Sequence, residues 1–457
     1  MRSALTEFSR STQSGETSAF IRPAREYTVA VVSARASGSS TAPLEVRTYE
    51  GGVSTTLSGV EAQVNTVWVA LTGNGVQTRG ARGTLTGSLP ISDDLLRRHY
   101  AFSNEIIWPS LHAFSWPTPE PSSVDMWNSY LAVNQAVASV LASLPAPAIL
   151  VNDYHFFMVP LFLDKPTLQR TTLFIHTSFP DPAEVAALRW MVDILRSLVR
   201  CKALGFQTVR YLESFERCLA HWGIDHGECT LFVNPVRVSP WEWATLSTKV
   251  DAVGINAALK RALYADRIIL GVDRIDPIKG LDLKLEALGR MLESNVGRGT
   301  RSVLLQVIVA SRDQLAPYRS VRDALQRNAS EVNEKYGTHV VYLQGPLNRV
   351  ELALLYGGSD MLAVTSRREG MNLVSQEYLA CRSDVRRALV LSRYTGLSYE
   401  FRELGASNPH NCEELALQLA DRWGPSLSIG NMGDAVERLR DQSRVPWIER
   451  MGQVLFQ

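Results

Sequence analysis

Short apolar runs alternate along this chain with longer stretches whose apolar residues recur at helical spacing. The runs lie at 27–34 (YTVAVVSA), 65–72 (NTVWVALT), 148–151, 171–176 (TTLFIH), 230–238, 265–273, 302–310 (SVLLQVIVA), 340–344, 361–365 and 388–392 (ALVLS). Strands alternating with helices predict an α/β architecture, with parallel sheets covered on both faces and right-handed crossovers. So many strands divide most naturally into two sheets. The proline-bearing segment 235–245 (PVRVSPWEWAT) is the expected boundary, giving one domain over 26–240 and a second over 241–431. The last stretch, 432–457, sets Trp447, Ile448, Met451, Val454 and Leu455 on spacings that suit an amphipathic helix, expected to pack back on the first domain. A two-domain α/β protein is expected to hold its ligand in a cleft where the carboxyl ends of both sheets meet.

Composition narrows this picture. A length of 457 residues exceeds one comfortable core and fits two domains. Lys plus Arg number 47 against 46 Asp plus Glu, so no net field recruits nucleic acid or an anionic membrane, and any anion site must be built locally. The five cysteines (Cys201, Cys218, Cys229, Cys381, Cys412) are scattered, without metal-ligand spacing, as expected of reduced thiols in a cytoplasmic enzyme. No apolar run approaches the ~20 residues of a membrane span. Residues 1–25 are rich in Ser, Thr and Arg and contain Glu7 and Glu16 without an apolar signal core; they read as a disordered extension. Homo-oligomerisation is left open.

The chemistry concentrates at strand ends. In 265–280 (ADRIILGVDRIDPIKG) a buried strand runs into Asp273, Arg274, Asp276, Pro277, Lys279 and Gly280. Arg274 and Lys279, five apart across a loop that Pro277 keeps out of helix, suit a clamp on a diphosphate; the alternative is an ordinary pair of surface charges. In 361–381 (MLAVTSRREGMNLVSQEYLAC) strand, turn and helix follow one another. Glu369 and Gly370 make the turn and Asn372 caps the helix, so the amides of Met371, Leu373 and Val374 are placed to face a phosphate. Glu377, one turn further, is placed to accept hydrogen bonds from a ribose diol.

Near the amino end, Arg35 follows the first strand and Gly51-Gly52 precedes a helical stretch; the pair is either a close approach to an oxyanion or a plain turn. Segment 98–117 (RHYAFSNEIIWPSLHAFSWP) gathers His99, Tyr100, Trp108, His112 and Trp116, as a packed loop under the first sheet or a sugar-contacting wall. Asp153, His155 and His176 close two successive strands. A lone His there is more often structural, but Asp and His on adjacent strand ends favour a site.

The blocks FSNEIIWPSLH, VNDYHFFMVP, FIHTSFP, GFQT, ILGVDRIDPIKG and REGMNLVSQEYLAC, in this order, resemble the trehalose-6-phosphate synthase family of retaining glycosyltransferases from about residue 27 to about 450. The resemblance implies the GT-B fold, two Rossmann-like domains facing a central cleft, with nucleotide on the second and acceptor on the first. It places Arg274 and Lys279 on the donor diphosphate, the amides around Leu373 beneath that diphosphate, and Glu377 on the ribose. Glu369 stands for an Asp that holds donor sugar hydroxyls, Gly51 and Gly52 for a mobile loop over the donor, and His176 for the His beside the transferred sugar. Asp153 stands where the acceptor is contacted, with Arg35, Trp108 and Arg312 around the acceptor phosphate and His99 in place of a Tyr there. A protonated His99 on that phosphate would make acceptor binding weaken as pH climbs past about 6.5.

Other departures are Asn152 for the first His of His-Asp-Tyr-His, Pro277 for Tyr, Thr177 and Ser178 for Ile-Pro, and Arg237 for Gly. No Asp-x-Asp metal motif occurs, so the resemblance implies no cofactor beyond a UDP- or GDP-linked sugar as substrate and no metal. The expected reaction moves a hexosyl unit, glucosyl by preference, to a phosphorylated acceptor, foremost glucose 6-phosphate giving trehalose 6-phosphate. Competing readings are a glucosylglycerol-phosphate synthase using glycerol 3-phosphate and a pseudo-glycosyltransferase using an aminocyclitol phosphate. A catalytically silent regulatory subunit is a third, opposed by the joint presence of Arg274, Lys279, Asp153, His176 and Glu377.

Overall fold

The structure is a computed structural model that describes residues 29–34, 66–80, 85–115, 123–186, 188–249, 251–294, 299–382, 389–404, 406–420 and 432–456. The expected extension at 1–25, Arg35, Gly51 and Gly52 lie outside the described residues. The described chain forms two compact units that divide between Pro235 and Val236, and it rejoins the first unit at Trp447.

The first unit carries strands β1 (Val29–Ser33), β2 (Thr66–Thr72), β3 (Gly75–Arg79), β4 (Leu85–Leu89), β5 (Ala148–Asn152), β6 (Thr171–Ile175), β7 (Ala203–Phe206) and β8 (Thr230–Val233). The second carries β9 (Arg267–Arg274), β10 (Ser302–Val309), β11 (Val340–Gln344), β12 (Met361–Val364) and β13 (Leu389–Leu391). Six helices matter below: α1 (Asp93–Ala101), α2 (Ser123–Ser143), α3 (Leu281–Glu293), α4 (Leu373–Cys381), α5 (Met432–Gln442) and α6 (Trp447–Leu455).

The first sheet runs β4-β3-β2-β1-β5-β6-β7-β8 and the second β11-β10-β9-β12-β13. The second is parallel throughout. The first is not, which corrects the expectation of purely parallel sheets: β2-β3 and β3-β4 are antiparallel. The hairpin turns at Gly75, which has φ +113° and no room for a Cβ against Leu89 O at 2.2 Å. Strands β3 (GVQTR) and β4 (LTGSL) carry too few apolar residues to announce themselves; β4 is the sheet edge, which need not be apolar on both faces, while β3 lies between β4 and β2 and is buried.

Strand β9 explains why its apolar run is unbroken. Ile268, Leu270 and Val272 enter one core with Tyr356, Leu362 and Tyr378, while Ile269 turns into another with Leu285, Leu288 and Leu304. Period-two alternation sends successive side chains to opposite faces, and both faces are covered.

The single helix expected over 432–457 is two helices, α5 and α6, parted at Pro446, which cannot donate within a helix. Residues of α5 count with the second unit, and only from Trp447 does the chain belong to the first. There the Trp447 indole donates to Asn234 O at 2.9 Å, its ring meets Phe174 at 5.0 Å, and Met451 is fully buried.

Candidate active site

In the first unit the site begins at two neighbouring strand ends. Asn152 of β5 lies in register with Phe174 of β6, so Asp153 and His176, each just beyond, emerge side by side. The Asp153 N–H donates to Phe174 O at 2.9 Å, and the His176 N–H donates to Asp153 Oδ1 at 3.3 Å. Asp153 sits at φ 71°, ψ 179°, a region nearly reserved for glycine that costs of order 1–3 kcal/mol. Such strain is held only where the surroundings over-determine it, here by the two strands and that carboxylate contact.

The His176 ring lies against Phe174 and Trp447, at 4.7 and 5.7 Å between centroids. Its Nε2 is 3.0 Å from Asn152 Oδ1 and its Nδ1 3.4 Å from Gln207 Nε2. Burial lowers its pKa to about 3, so it is neutral in the working range.

Segment 98–111 is helical, not the packed loop considered from its composition. Ser92 caps α1 through Leu95 N, and the helix widens into a π-helical stretch at Phe102–Ile107 before Trp108–Leu111, where Pro109 sits in the first turn. Trp108 lies 5.2 Å from the Tyr154 ring, and the Tyr154 hydroxyl donates to Asn104 at 2.9 Å. Ser178, one of the departures, donates to Leu111 O at 2.7 Å. These contacts join the FSNEIIWPSLH, VNDYHFFMVP and FIHTSFP blocks into one corner holding Trp108, Asp153 and His176.

His99 does not take the role expected of it. It is 1% exposed, donates from Nε2 to His155 O at 3.0 Å, and stacks on Tyr130 of α2 at 5.2 Å. Burial lowers its pKa to about 4, so the expected protonated His99 is replaced by a neutral core histidine.

In the second unit, β9 ends at Arg274 and its chain continues through a 3-10 turn, Pro277–Lys279, whose first N–H is tied by the Asp276 cap. Gly280 follows at φ +61°, where a Cβ would stand 2.2 Å from Thr365 O. Only glycine lets this loop lie against the residues after β12. There Thr365 Oγ1 donates to Gly280 O at 2.9 Å, and Arg367 grips Asp282 through two bonds of 2.7 Å.

The lacing brings a cation to the helix start. Lys279 Nζ lies 2.5 Å from Glu369 Oε2. Glu369 Oε1 accepts from Ser366 Oγ at 2.6 Å and from Asn372 Nδ2 at 2.7 Å. Asn372 caps α4, accepting from Ser375 N at 2.7 Å, so Lys279, Glu369 and the first amides of α4 form one connected group. Gly370 and Met371 complete the turn, and Leu373 opens the helix. Arg312, at φ +55°, directs its guanidinium to the fully buried Asp276 and over Tyr318.

Glu377 is 2% exposed and accepts from the Tyr356 hydroxyl at 2.8 Å; burial raises its pKa to about 8. It is therefore largely protonated at neutral pH here, where the sequence suggested a carboxylate. Behind β9, Lys284 pairs with Asp273 at 2.8 Å and Gln306 Oε1 at 2.9 Å, all buried. Sequence reasoning assigned no role to Gln207, Ser366, Tyr356 or Lys284. A lysine on the apolar face of α3 was the one legible sign among them, since an unpaired ammonium is not buried.

The profile of Glycosyltransferase family 20 matches residues 25–422. The chain belongs to that family. It is 28% identical, over 80% of its length, to the Alpha,alpha-trehalose-phosphate synthase [UDP-forming] A of Dictyostelium discoideum, and spans about half (53%) of that relative. Among solved structures it resembles a Burkholderia xenovorans alpha,alpha-trehalose-phosphate synthase (UDP-forming) in complex with glucose-6-phosphate. There the TM-score is 0.79 at 23% identity, over 93% of this chain and 99% of that one. An E. coli trehalose-6-phosphate structure bound with UDP-2-fluoro glucose gives TM-score 0.78 at 26% identity, over 94% and 99%. This family 20 member therefore has the GT-B fold that its sequence blocks imply, and it is a glycosyltransferase.

Proposed function

We propose that this family 20 enzyme moves glucose from UDP-glucose to glucose 6-phosphate, forming trehalose 6-phosphate with retention at the anomeric carbon and without a divalent metal. One observation carries the donor assignment: the loop after β9 holds Lys279 within one connected group with the capped start of α4. A departing diphosphate develops negative charge, and a fixed ammonium beside a helix start stabilises it without reorganisation at the moment of reaction. Arg274 adds a second cation as the donor C–O bond breaks. The acceptor hydroxyl attacks from the leaving-group face, and a donor phosphate oxygen takes its proton. Asp153 orients the acceptor and His176 walls the transferred sugar, and Trp108, Arg312, Arg35, Gly51 and Gly52 are proposed only in the roles that the family resemblance gives them.

The relatives support the substrates. One contains a UDP-linked glucose analogue and another glucose-6-phosphate. The cysteines are free, and with their scattered spacing we take the setting to be reducing and cytoplasmic. Among the described residues no helix is long and apolar enough to cross a membrane.

The test is nucleotide release from UDP- and GDP-sugars against glucose 6-phosphate, glycerol 3-phosphate and aminocyclitol phosphates, with and without a chelator. UDP release with UDP-glucose and glucose 6-phosphate, unaffected by chelation, is expected. Faster turnover of another acceptor would replace the acceptor assignment. Nucleotide binding without release from any pair would make the protein a silent subunit. Arg274→Ala is expected to lower kcat by about a hundredfold, the effect of losing one fixed donor to the leaving group.

A further inference from the structure

We infer that Asn152 and Gln207 are positioning residues that hold His176 as a single neutral tautomer, the Nε2–H form, so that the imidazole takes up no second proton during turnover. The inference rests on the proposed glucosyl transfer for its kinetic consequence, but its structural part stands alone.

The reasoning begins at the Asn152 amide. Its Nδ2 donates to Val32 O at 3.0 Å and lies 3.5 Å from Leu150 O. Carbonyl oxygens only accept, so the amide cannot be turned over, and Oδ1 must be the atom presented to His176 Nε2 at 3.0 Å. An acceptor there requires the proton on Nε2. In a neutral ring Nδ1 is then a bare acceptor, and the Gln207 amide nitrogen, 3.4 Å away, is the matching donor. Both ring nitrogens are thus engaged by the protein's own side chains.

Protonation would set an Nδ1–H against the Gln207 NH2 as that amide stands, so it requires the amide to turn over and present its oxygen. The Asp153 carboxylate takes the His176 backbone N–H through Oδ1. From the last helix the indole of Trp447 faces the ring, while Arg450 donates to Asn234 at 2.8 Å and to Pro235 O at 2.6 Å. The position of Asn152 carries His in the common family pattern. An Asn supplies an acceptor that cannot itself titrate, which removes one source of tautomer exchange.

In a reaction where the acceptor proton passes to a phosphate oxygen, a ring that cannot exchange protons is a wall of fixed shape and charge. Its preorganisation then depends on residues that do not touch substrate.

The full-length protein, free of nucleotide and labelled with 15N-histidine, tests this by NMR, with His176 assigned by its loss in His176→Gln. The Nε2–H tautomer is expected, with no titration from pH 5 to 8. Gln207→Glu gives Nδ1–H a carboxylate acceptor and is expected to bring His176 titration into that range. With UDP-glucose and glucose 6-phosphate, kcat of that variant should then fall toward acid pH while the acceptor KM changes less than about twofold. Asn152→Ala should mix the tautomers and lower kcat by about tenfold, the scale of one lost hydrogen bond. Should Asn152→Ala fail to fold, Gln207→Glu decides. An Nδ1–H tautomer in the wild type, titration within pH 5 to 8, or unchanged His176 signals in the folded variants would overturn the inference. The NMR arm uses no substrate, so its failure is separate from failure to turn over these substrates.

Discussion

Glu369 shows how one methylene changes a site. Glu369, where the family pattern has the shorter Asp, bonds Lys279 and accepts from Ser366 and Asn372 at once. The ammonium proposed for the donor diphosphate is thus neutralised by a neighbour, and a diphosphate must compete with that carboxylate. Glu369→Gln keeps the shape and removes the competing charge, so bare UDP should bind about tenfold more tightly, a change of ~1.4 kcal/mol. Transfer from UDP-glucose should slow in the same variant, as the sugar hydroxyls lose an ionic acceptor. Titration calorimetry beside turnover checks both, and weaker UDP binding would show that the pair preorganises Lys279 instead.

Glu377 gives a pH signature of the same local kind. An unfolded Glu releases its proton near 4.5, but this one holds it up to about 8 because burial disfavours the charge. The folded state is thus favoured in full below 4.5, and that advantage is lost as pH rises through 8. Glu377→Gln, which can still accept from Tyr356, should show a flatter stability profile between these limits and be the more stable protein at pH 8 in thermal melts. His99 gives the opposite expectation to the one its sequence position suggested. Since it is neutral down to about pH 4, the acceptor KM should not follow a histidine titration near 6.5, and a rise centred there would restore it to the site.

At the scale of elements, the donor side depends on how one helix begins. Asn372 is tied on both sides, its Oδ1 to Ser375 N and its Nδ2 to Glu369, so the cap and the Lys279 loop share a side chain. Asn372→Ala should cost about 1 kcal/mol of stability and weaken UDP binding more than a distant surface substitution of equal stability cost, readable by comparing melts with binding isotherms. The cap was legible, because Asn preceding Leu-Val-Ser-Gln-Glu at a strand-turn-helix junction is a strong local signal. So was the end of β9, where an apolar run stops at charges. The π-helical stretch at Phe102–Ile107 was not, since its backbone hydrogen bonds answer to packing of the aromatic corner and leave no sequence period. Strands β3 and β4 escaped as well, since neither GVQTR nor LTGSL carries an apolar run.

At the scale of the whole chain, the carboxyl-terminal segment finishes the first unit: α6 returns there and lays Trp447 beside Phe174 and His176. Trp447→Ala should remove one face of the histidine's surroundings, lowering stability by about 3 kcal/mol, in the range for truncating a large buried aromatic, and lowering turnover at saturating substrate. Equilibrium unfolding and kcat measure the two, and an unchanged kcat would detach α6 from the site.

What the sequence determined by itself was whatever depends on local order. Alternating strand and helix, the run of β9 into its cations, the Asn372 cap and six ordered blocks are carried by residues close together in the chain. The tertiary structure decided the charge states and pairings. Glu377, His99 and His176 owe their protonation to burial, and Lys279 met Glu369, 90 residues away, only because Gly280 lets one loop press on another. Desolvation and long-range contact depend on what the folded chain brings around a group, and no window of neighbouring residues contains that information.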